Sequence, residues 1–351
     1  MERYIGLDVH AASTTFAVVS ERGKRLGSQV VETNGRALVA HLKTLLGNKH
    51  VCLEEGTQAA WVYEILRPHA VEVVVLGVSE SRGPKSDERD AFGLAERLRA
   101  GKAEPRVFKE RGGFRALGEL SRTHDKLVRD CVRVQNRLKS LYRSRGVSVS
   151  GISVYSLEGR SRCLAKLPAA TRGAADLLYA QYDAIEPARA EAEKKLVHES
   201  HRHPITRVLE TCPGLGPIRV AHLVSIVVSP SRFRTKRQFW SYSGLGVVMR
   251  SSSDWVRGED GRWNRATVQK TRGLNFNHNH RLKPIFKGAA TTVVAQRKKQ
   301  PLARQYERLL ADGTKPNLAK LTLARKIAAT VLAMWKHEEV YDSARNNTAA
   351  R

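Results

Sequence analysis

Four carboxylates stand at the ends of elements in the first hundred residues, in a pattern that suits metal binding: Asp8, Glu54, Asp87 and Asp90. Asp8 and Glu54 each follow an apolar strand, with Glu55 directly behind Glu54, while Asp87 and Asp90 are three apart on one face of a first helical turn. Crowded carboxylates repel each other, and divalent cations relieve the repulsion; oxygen-only ligands favour Mg²⁺ or Mn²⁺. Two such ions can assist phosphoryl transfer. Taken singly, an acid in a first helical turn also complements the helix dipole.

The elements that must position these carboxylates alternate between strand and helix. Periodicity predicts strands at Arg3–His10, Thr14–Ser20, Leu26–Val31, His50–Leu53 and Val71–Gly77, and helices at Arg36–Leu46, Ala59–Leu66 and Asp87–Ala100. Three strands followed by α-β-α-β-α indicate an α/β domain with the RNase-H-like (RuvC-like) fold. There the first and fourth strands are neighbours and the last helix packs near their ends, so the carboxylates converge. A doubly wound nucleotide-binding domain would instead begin β-α-β with a glycine-rich loop, which is missing after this first strand.

The charge of the chain is unevenly distributed. Lys and Arg number 61 against 34 Asp and Glu, which gives a net charge of +27. Acidic and basic side chains balance within residues 1–100, so the whole excess lies beyond them, and residues 201–300 alone hold 19 basic and 4 acidic side chains. A neutral, carboxylate-bearing domain followed by a basic remainder indicates chemistry at one end and nucleic-acid binding at the other. The basic residues are too dispersed for a membrane-surface helix.

Cysteine spacing and hydropathy exclude several other classes of protein. The 4 cysteines show no C-x-x-C spacing, which argues against a zinc ribbon or a disulfide scaffold. No apolar run approaches the roughly 20 residues that span a bilayer, and the N-terminus lacks a signal-peptide core. We therefore expect a cytoplasmic, nucleoid-associated protein with no membrane partner.

The middle of the chain carries a heptad seam. From Leu117 to Leu141 the seam residues step by three and four over about three and a half heptads, and a return helix repeats the step from Leu178 to Leu196. A loop rich in Ser and Gly, Gly146–Pro168, separates the two. The pattern predicts a coiled-coil helical arm, which either pairs with a second protomer or folds back as a hairpin within one chain.

A mainly α C-terminal domain is predicted from Pro204 onward. Pro213-Gly214-Leu215-Gly216-Pro217 lies between two apolar helical segments and indicates a helix-hairpin-helix-like element, whose glycines let backbone N–H groups face a phosphate. An apolar helix at Leu318–Trp335 packs this domain. The predicted divisions are 1–105 (catalytic domain), 106–203 (arm), 204–342 (C-terminal domain) and 343–351 (tail).

Basic and aromatic side chains cluster in the C-terminal domain. The predicted phosphate contacts are Arg232, Arg234, Lys236, Arg237, Arg250, Arg257, Arg262 and Arg265. Trp240, Trp255 and Trp263 lie among them and either stack on bases or pack the core.

Several motifs, in order along nearly the whole chain, resemble one family. They are Ile5-Gly6-Leu7-Asp8-Val9, Leu53-Glu54-Glu55-Gly56 with Tyr63 and Leu66 behind, Lys85-Ser86-Asp87-Glu88-Arg89-Asp90-Ala91, Pro213 to Pro217, Phe239 to Asp254, and Leu323-Ala324-Arg325-Lys326. The chain resembles the DEDD transposases of bacterial insertion sequences, the insertion-sequence-110-type recombinases. The resemblance implies a RuvC-like catalytic domain, a coiled-coil segment and a C-terminal transposase domain with a catalytic serine.

The resemblance also implies roles for individual residues. The metal ligands are Asp8, Glu54, Asp87 and Asp90, with Glu55 as an alternative to Glu54. Counting from the Gly-Leu step selects Ser252 as the nucleophile; because Ser253-Asp254 stands where the family usually has glycine, Ser251 and Ser253 remain alternatives. Relatives use a structured noncoding guide (bridge) RNA from the element and assemble as oligomers, so we expect both here, together with DNA of the element ends and target.

Three hypotheses follow for the function. The first is a site-specific transposase that cuts and rejoins element ends through a serine–DNA intermediate with Mg²⁺. The second is a RuvC-like junction endonuclease, which needs the carboxylates and water but no serine. The third is a nucleic-acid-binding protein without catalysis. Ser252→Ala separates the first two, and Asp8→Asn separates both from the third.

Overall fold

The computed structural model describes residues 1–78, 86–104, 112–149, 151, 153–249, 255–265, 271–296 and 301–343. The chain divides into two compact units, Met1–Glu110 and Arg111–Arg351. Among the described residues, no helix combines the length and the apolar character needed to cross a membrane.

The first unit is a mixed α/β sheet domain. Its elements are β1 (Glu2–Val9), β2 (Ser13–Ser20), β3 (Arg25–Glu32), α1 (Gly35–Thr44), β4 (Asn48–Glu54), α2 (Ala59–Leu66), β5 (Glu72–Leu76) and α3 (Asp87–Arg99). The strands form one five-stranded sheet in the order β3-β2-β1-β4-β5. β1, β2 and β3 pair antiparallel, whereas β4 is parallel to both β1 and β5. Each element lies within two residues of its predicted bounds.

Alternation of side chains along the central strands builds two apolar layers. Ile5 and Leu7 of β1 are buried with Val51 and Leu53 of β4 in a core that α1 and α2 cover. Residues of the opposite parity face α3, since Cys52 is buried together with the α3 leucines. In a strand, positions two apart share a face, so residues 6 and 8 of β1 belong to the α3 side.

Gly6 sets the distance between α3 and the sheet. A Cβ at this position would lie 1.8 Å from the carbonyl oxygen of Ala91 and 2.7 Å from the backbone nitrogen of Ala95, both in α3. Only glycine permits this approach of helix backbone to strand backbone. The first turn of α3 is thereby held close to the end of β1.

The second unit is mostly helical. Its elements are α4 (Arg115–Arg143), α5 (Leu157–Leu164), α6 (Ala169–Ser200), α7 (Pro204–Glu210), α8 (Pro217–Val227), α9 (Lys236–Tyr242), β6 (Val247–Met249), β7 (Trp255–Arg257), β8 (Trp263–Arg265), β9 (Thr271–Leu274), α10 (Leu282–Ala295), α11 (Pro301–Ala311) and α12 (Pro316–His337). β6 pairs with β9 and β7 pairs with β8, in two small antiparallel sheets that periodicity does not predict.

The two long helices α4 and α6 pack against each other within one chain. Leu138 and Tyr142 near the end of α4 are buried with Ala175 and Tyr179 near the start of α6. The two tyrosine hydroxyls lie 3.0 Å apart. The predicted loop at Gly146–Pro168 is wrong in part, because it contains α5. That helix begins where the hydroxyl of Ser156 accepts from the backbone N–H of Gly159, a capping bond that outweighs the loop-like composition.

The core of the second unit connects the base of the arm, which is the start of α4 and the end of α6, to the C-terminal helices. Leu117 of α4 and Leu196 of α6 are buried in the same cluster as the apolar faces of α8, α10 and α12. Gly214 packs here, with φ +83° and a backbone so close to α10 that a Cβ would lie 2.4 Å from the carbonyl oxygen of Ala289. This glycine therefore has a packing role between the helices.

Candidate active site

Asp8 lies at the end of β1, where its carboxylate faces the first turn of α3. The imidazole Nε2 of His10 lies 3.4 Å from Asp8 Oδ2 and 3.5 Å from Asp87 Oδ2. One ligand atom from each of these three side chains lies within 4.8 Å of the other two. The arrangement can hold a cation between two carboxylates and an imidazole.

The electrostatic environment of Asp8 is that of a crowded carboxylate. Burial raises the pKa of Asp8; the nearby His10 acts in the opposite direction, and the negative charges of Asp87 and Asp90 raise it further. The net direction is upward with burial as the largest cause, so the ionised carboxylate would be stabilised by added positive charge. A bound divalent cation would supply it.

The start of α3 concentrates negative charge at this point. Asp87, Glu88 and Asp90 all lie in the first turn, and the backbone N–H of Asp90 donates to the carbonyl of Ser86 at 2.9 Å. Acids here complement the helix dipole. The approach at Gly6 brings Asp87 and Asp90 towards Asp8, and the charges of both raise the pKa of Asp8.

Glu54 occupies the position in β4 that corresponds to Asp8 in β1. Leu7 pairs with Leu53 in the parallel register, and each acid directly follows its leucine. Glu54 shares the parity of Cys52, whose side chain lies on the α3 side of the sheet, and is half-buried. Glu55 has the opposite parity and is exposed, and its N–H donates to the carbonyl of Leu76.

His10 was not among the predicted site residues. β1 ends at Val9, one residue before the predicted end, so His10 lies just outside the strand. The available signal was its position two residues after Asp8, the spacing that places two side chains on one side of an extended segment.

The predicted nucleophile and its alternatives, Ser252, Ser251 and Ser253, lie outside the described residues, as does Arg250. The Gly-Leu step before them is described. Gly244 has φ +68°, and a Cβ there would lie 2.2 Å from the His278 ring, so glycine is required on both counts.

The late Leu-Ala-Arg-Lys motif contacts this Gly-Leu step directly. Nε of Arg325 donates to the carbonyl of Leu245 at 2.7 Å. The indole N–H of Trp240 in turn donates to the carbonyl of Arg325 at 2.9 Å. Burial lowers the pKa of Arg325. Two motifs about eighty residues apart in sequence are thus joined, and Trp240 has a packing role.

The described phosphate-contact candidates lie on the surface. The exposed side chains are Arg232, Arg234, Lys236, Arg237, Arg257 and Arg262, while the side chain of Arg265 is not described. Arg232 is also held by Val227, since its Nη1 donates to that carbonyl at 2.9 Å. Trp255 and Trp263 are 57% and 64% exposed on the β7–β8 hairpin, whereas Trp240 is partly buried.

Comparison with protein families identifies the chain. A transposase family model, DEDD transposase IS110, matches residues 5–144, and a second model, the transposase IS116/IS110/IS902 family, matches residues 206–307. The two matches together cover more than half of the chain. The chain belongs to the IS110 transposase family. It is a DNA transposase/recombinase of an insertion sequence, with DNA as a partner. A search of curated proteins gave no match.

The two transposase matches enclose the two sets of candidate residues. Asp8, Glu54, Asp87 and Asp90 fall within the first match, and the segment with Ser252 falls within the second. The Arg325 motif that contacts the Gly-Leu step lies beyond both.

Proposed function

We propose that this transposase cuts and rejoins the ends of its insertion sequence through a covalent serine–DNA intermediate, with a divalent cation at Asp8, Glu54, Asp87 and Asp90. The observation that carries the proposal is the approach of Asp8 and Asp87 on either side of His10, combined with the upward pKa of Asp8. Two carboxylates that approach each other in this way fit Mg²⁺ or Mn²⁺, because both ions prefer oxygen ligands. When bound, the cation supplies positive charge for phosphodiester oxygens at the reacting centre.

The first unit is proposed to be RNase-H-like (RuvC-like). Its strand order, with three antiparallel strands followed by two parallel ones, supports this assignment. Further along the chain we propose a helical arm at 106–203, a C-terminal domain at 204–342 and a helix-hairpin-helix-like element across Pro213–Pro217. The turn between α7 and α8 supports that element.

Ser252 is the proposed nucleophile. Its hydroxyl loses a proton and attacks the phosphorus of a DNA phosphodiester. A new P–O bond to serine forms while the bond to one deoxyribose oxygen breaks, and that oxygen leaves as a hydroxyl after taking up a proton. Because the ester keeps the energy of the broken bond, a hydroxyl of another strand can displace serine and rejoin the DNA without ATP.

Glu54 is preferred to Glu55 in the metal site because its parity matches the α3 side of the sheet. His10 is proposed to orient the carboxylates of Asp8 and Asp87. The exposed basic residues of the second unit and the β7–β8 tryptophans are proposed to bind the DNA and an element-encoded guide RNA by phosphate contact and base stacking. Assembly into an oligomer is proposed on the family resemblance.

A denaturing gel for a covalent protein–DNA adduct tests the proposal. The full chain is mixed with junction DNA of the element, the flanking noncoding RNA and Mg²⁺, alongside Ser252→Ala and Asp8→Asn. We expect an adduct only when both side chains are intact. Ser251→Ala and Ser253→Ala are matched controls that should form it.

Two results would contradict parts of the proposal. An adduct that survives Ser252→Ala but is lost in Ser251→Ala or Ser253→Ala would assign the nucleophile to that other serine. Cleaved DNA without any adduct, indifferent to all three serines, would favour a junction endonuclease.

A further inference from the structure

A second cluster of ligating side chains lies in the helical unit, at the base of the arm. Nδ1 of His124 in α4 lies 3.0 Å from Nε2 of His222 in α8, and the same Nε2 lies 3.5 Å from Oδ1 of Asp125. Both histidines are buried, and the three ligand atoms lie within 4.8 Å of one another. Ligand atoms of a tetrahedral Zn²⁺ site, each 2.0–2.2 Å from the ion, lie about 3.3 Å apart.

The far side of each ligand contacts another polar group. Nδ1 of His222 lies 2.8 Å from the hydroxyl of Ser121, and Nε2 of His124 faces the Glu193 carboxylate at 3.8 Å. The two carboxylate oxygens of Asp125 have different partners: Oδ1 faces His222, and Oδ2 pairs with Arg281. Metal-bound histidines and carboxylates are usually held in this way by outer groups.

The remaining observations concern the protonation of the cluster. Nε2 of His124 is buried without a hydrogen-bond partner within the described residues. If Nδ1 binds a metal, the proton of His124 sits on Nε2 and points to Glu193.

We propose that His124, Asp125 and His222 bind a divalent transition metal, with Zn²⁺ as the fitting ion and water in the fourth position. Two imidazoles and one carboxylate are a ligand set that Zn²⁺ accepts and that Mg²⁺ does not favour. The ion would connect α4 to α8 across nearly a hundred residues, fixing the base of the arm. The site lies in a different unit from Asp8 and does not depend on the proposed recombination chemistry.

Metal titration of the full chain tests the inference in an Asp8→Asn background, which disables the first site. After EDTA treatment and dialysis, we expect one Co²⁺ per chain with the intense visible absorption of tetrahedral coordination, displaced by Zn²⁺. At a 100-fold excess over its Kd, Zn²⁺ should raise the Tm by about 5–10 °C. Asp125→Asn, at a partly exposed position, should weaken Zn²⁺ binding at least tenfold.

Two further variants complete the test. His222→Gln should abolish the tetrahedral Co²⁺ spectrum. If circular dichroism shows that His222→Gln does not fold, the Zn²⁺ affinity of Asp125→Asn decides whether the site binds metal. His201→Gln changes a histidine that pairs with Glu210 instead, and it should bind metal like its parent. No uptake of Co²⁺ or Zn²⁺ in the Asp8→Asn background, or equal affinity in Asp125→Asn and its parent, would overturn the inference.

Discussion

Replacing Gly6 by alanine tests how α3 is held against the sheet and thereby how the candidate metal site is assembled. The added Cβ would lie 1.8 Å from the Ala91 carbonyl oxygen, against an ordinary contact of 3.4–4 Å. The atom that it meets belongs to helix backbone and cannot rotate away. We expect α3 to withdraw by about 1.6 Å, the difference between these distances.

That withdrawal has a cost in stability and a cost in activity. Overpacking of a filled interior typically destabilises by about 1–3 kcal/mol. Asp87 lies one turn before Ala91 in the same helix, so the movement also takes its carboxylate away from Asp8. Misplacement of a catalytic group by about 1 Å costs on the order of 100-fold in rate. Gly6→Ala should therefore lose about 100-fold in DNA cleavage rate and bind Mn²⁺ more weakly.

Gly93→Ala is the matched control, since it lies in α3 with no heavy atom within 4 Å of its added Cβ. It should raise stability by up to about 1 kcal/mol through helix propensity and keep its activity. Urea unfolding gives the stabilities, cleavage of element-end DNA gives the rates, and Mn²⁺ electron paramagnetic resonance gives the metal affinity. If Gly6→Ala matched Gly93→Ala in all three measurements, the close approach of α3 would not position the site.

Three further predictions concern other parts of the chain. Burial alone lowers the pKa of His50, but hydrogen bonds to two glutamates at the starts of β1 and β5 raise this pKa on balance. The contribution of His50 to the free energy of unfolding is therefore complete below pH 6.5 and is lost as the pH rises through the raised pKa. Urea unfolding of wild type and His50→Gln should show a stability difference that shrinks as the pH rises. Arg325→Met removes the donor to the buried Leu245 carbonyl and should cost about 1–3 kcal/mol in thermal unfolding, whereas Arg308→Met at an exposed position of α11 should cost nothing measurable. Arg262→Gln should reduce the slope of log K against log salt by about 0.9 in a DNA-binding titration, if that side chain contacts phosphate.

The first unit was predictable because its elements are long and strongly patterned. Alternation in β1 and β2 and helical spacing in α1 to α3 identified every element within two residues. Because side chains alternate between the two faces of a sheet, the strand pattern also places Asp8 and Glu54 on one side of it. The distance between that side and α3 was not predictable, since it depends on Gly6 meeting the backbone of a helix about eighty-five residues later.

The second unit was less predictable for two physical reasons. Strands of three or four residues, such as β6 and β9, are too short to show a period, and pairing between distant segments stabilises them. The spacing by three and four from Leu117 to Leu141 includes His124 and predicts a packing residue there, but the side chain meets His222 from a helix 98 residues away. Its polar partners come from tertiary structure, which no local pattern encodes.

The separation of charge along the sequence gives a physical reason for keeping the carboxylates in the first unit. Arginine and lysine side chains near Asp8 would form ion pairs with it and compete with a divalent cation. Burial is the largest cause of the raised pKa of Asp8, and the charges that act on it are those of His10, which lowers the pKa, and of Asp87 and Asp90, which raise it. Residues 1–100 carry no net charge, whereas the whole excess of +27 lies beyond them. The excess of basic charge thus lies outside the part of the sequence that holds the carboxylates, as expected of a segment whose carboxylates are proposed to bind a cation.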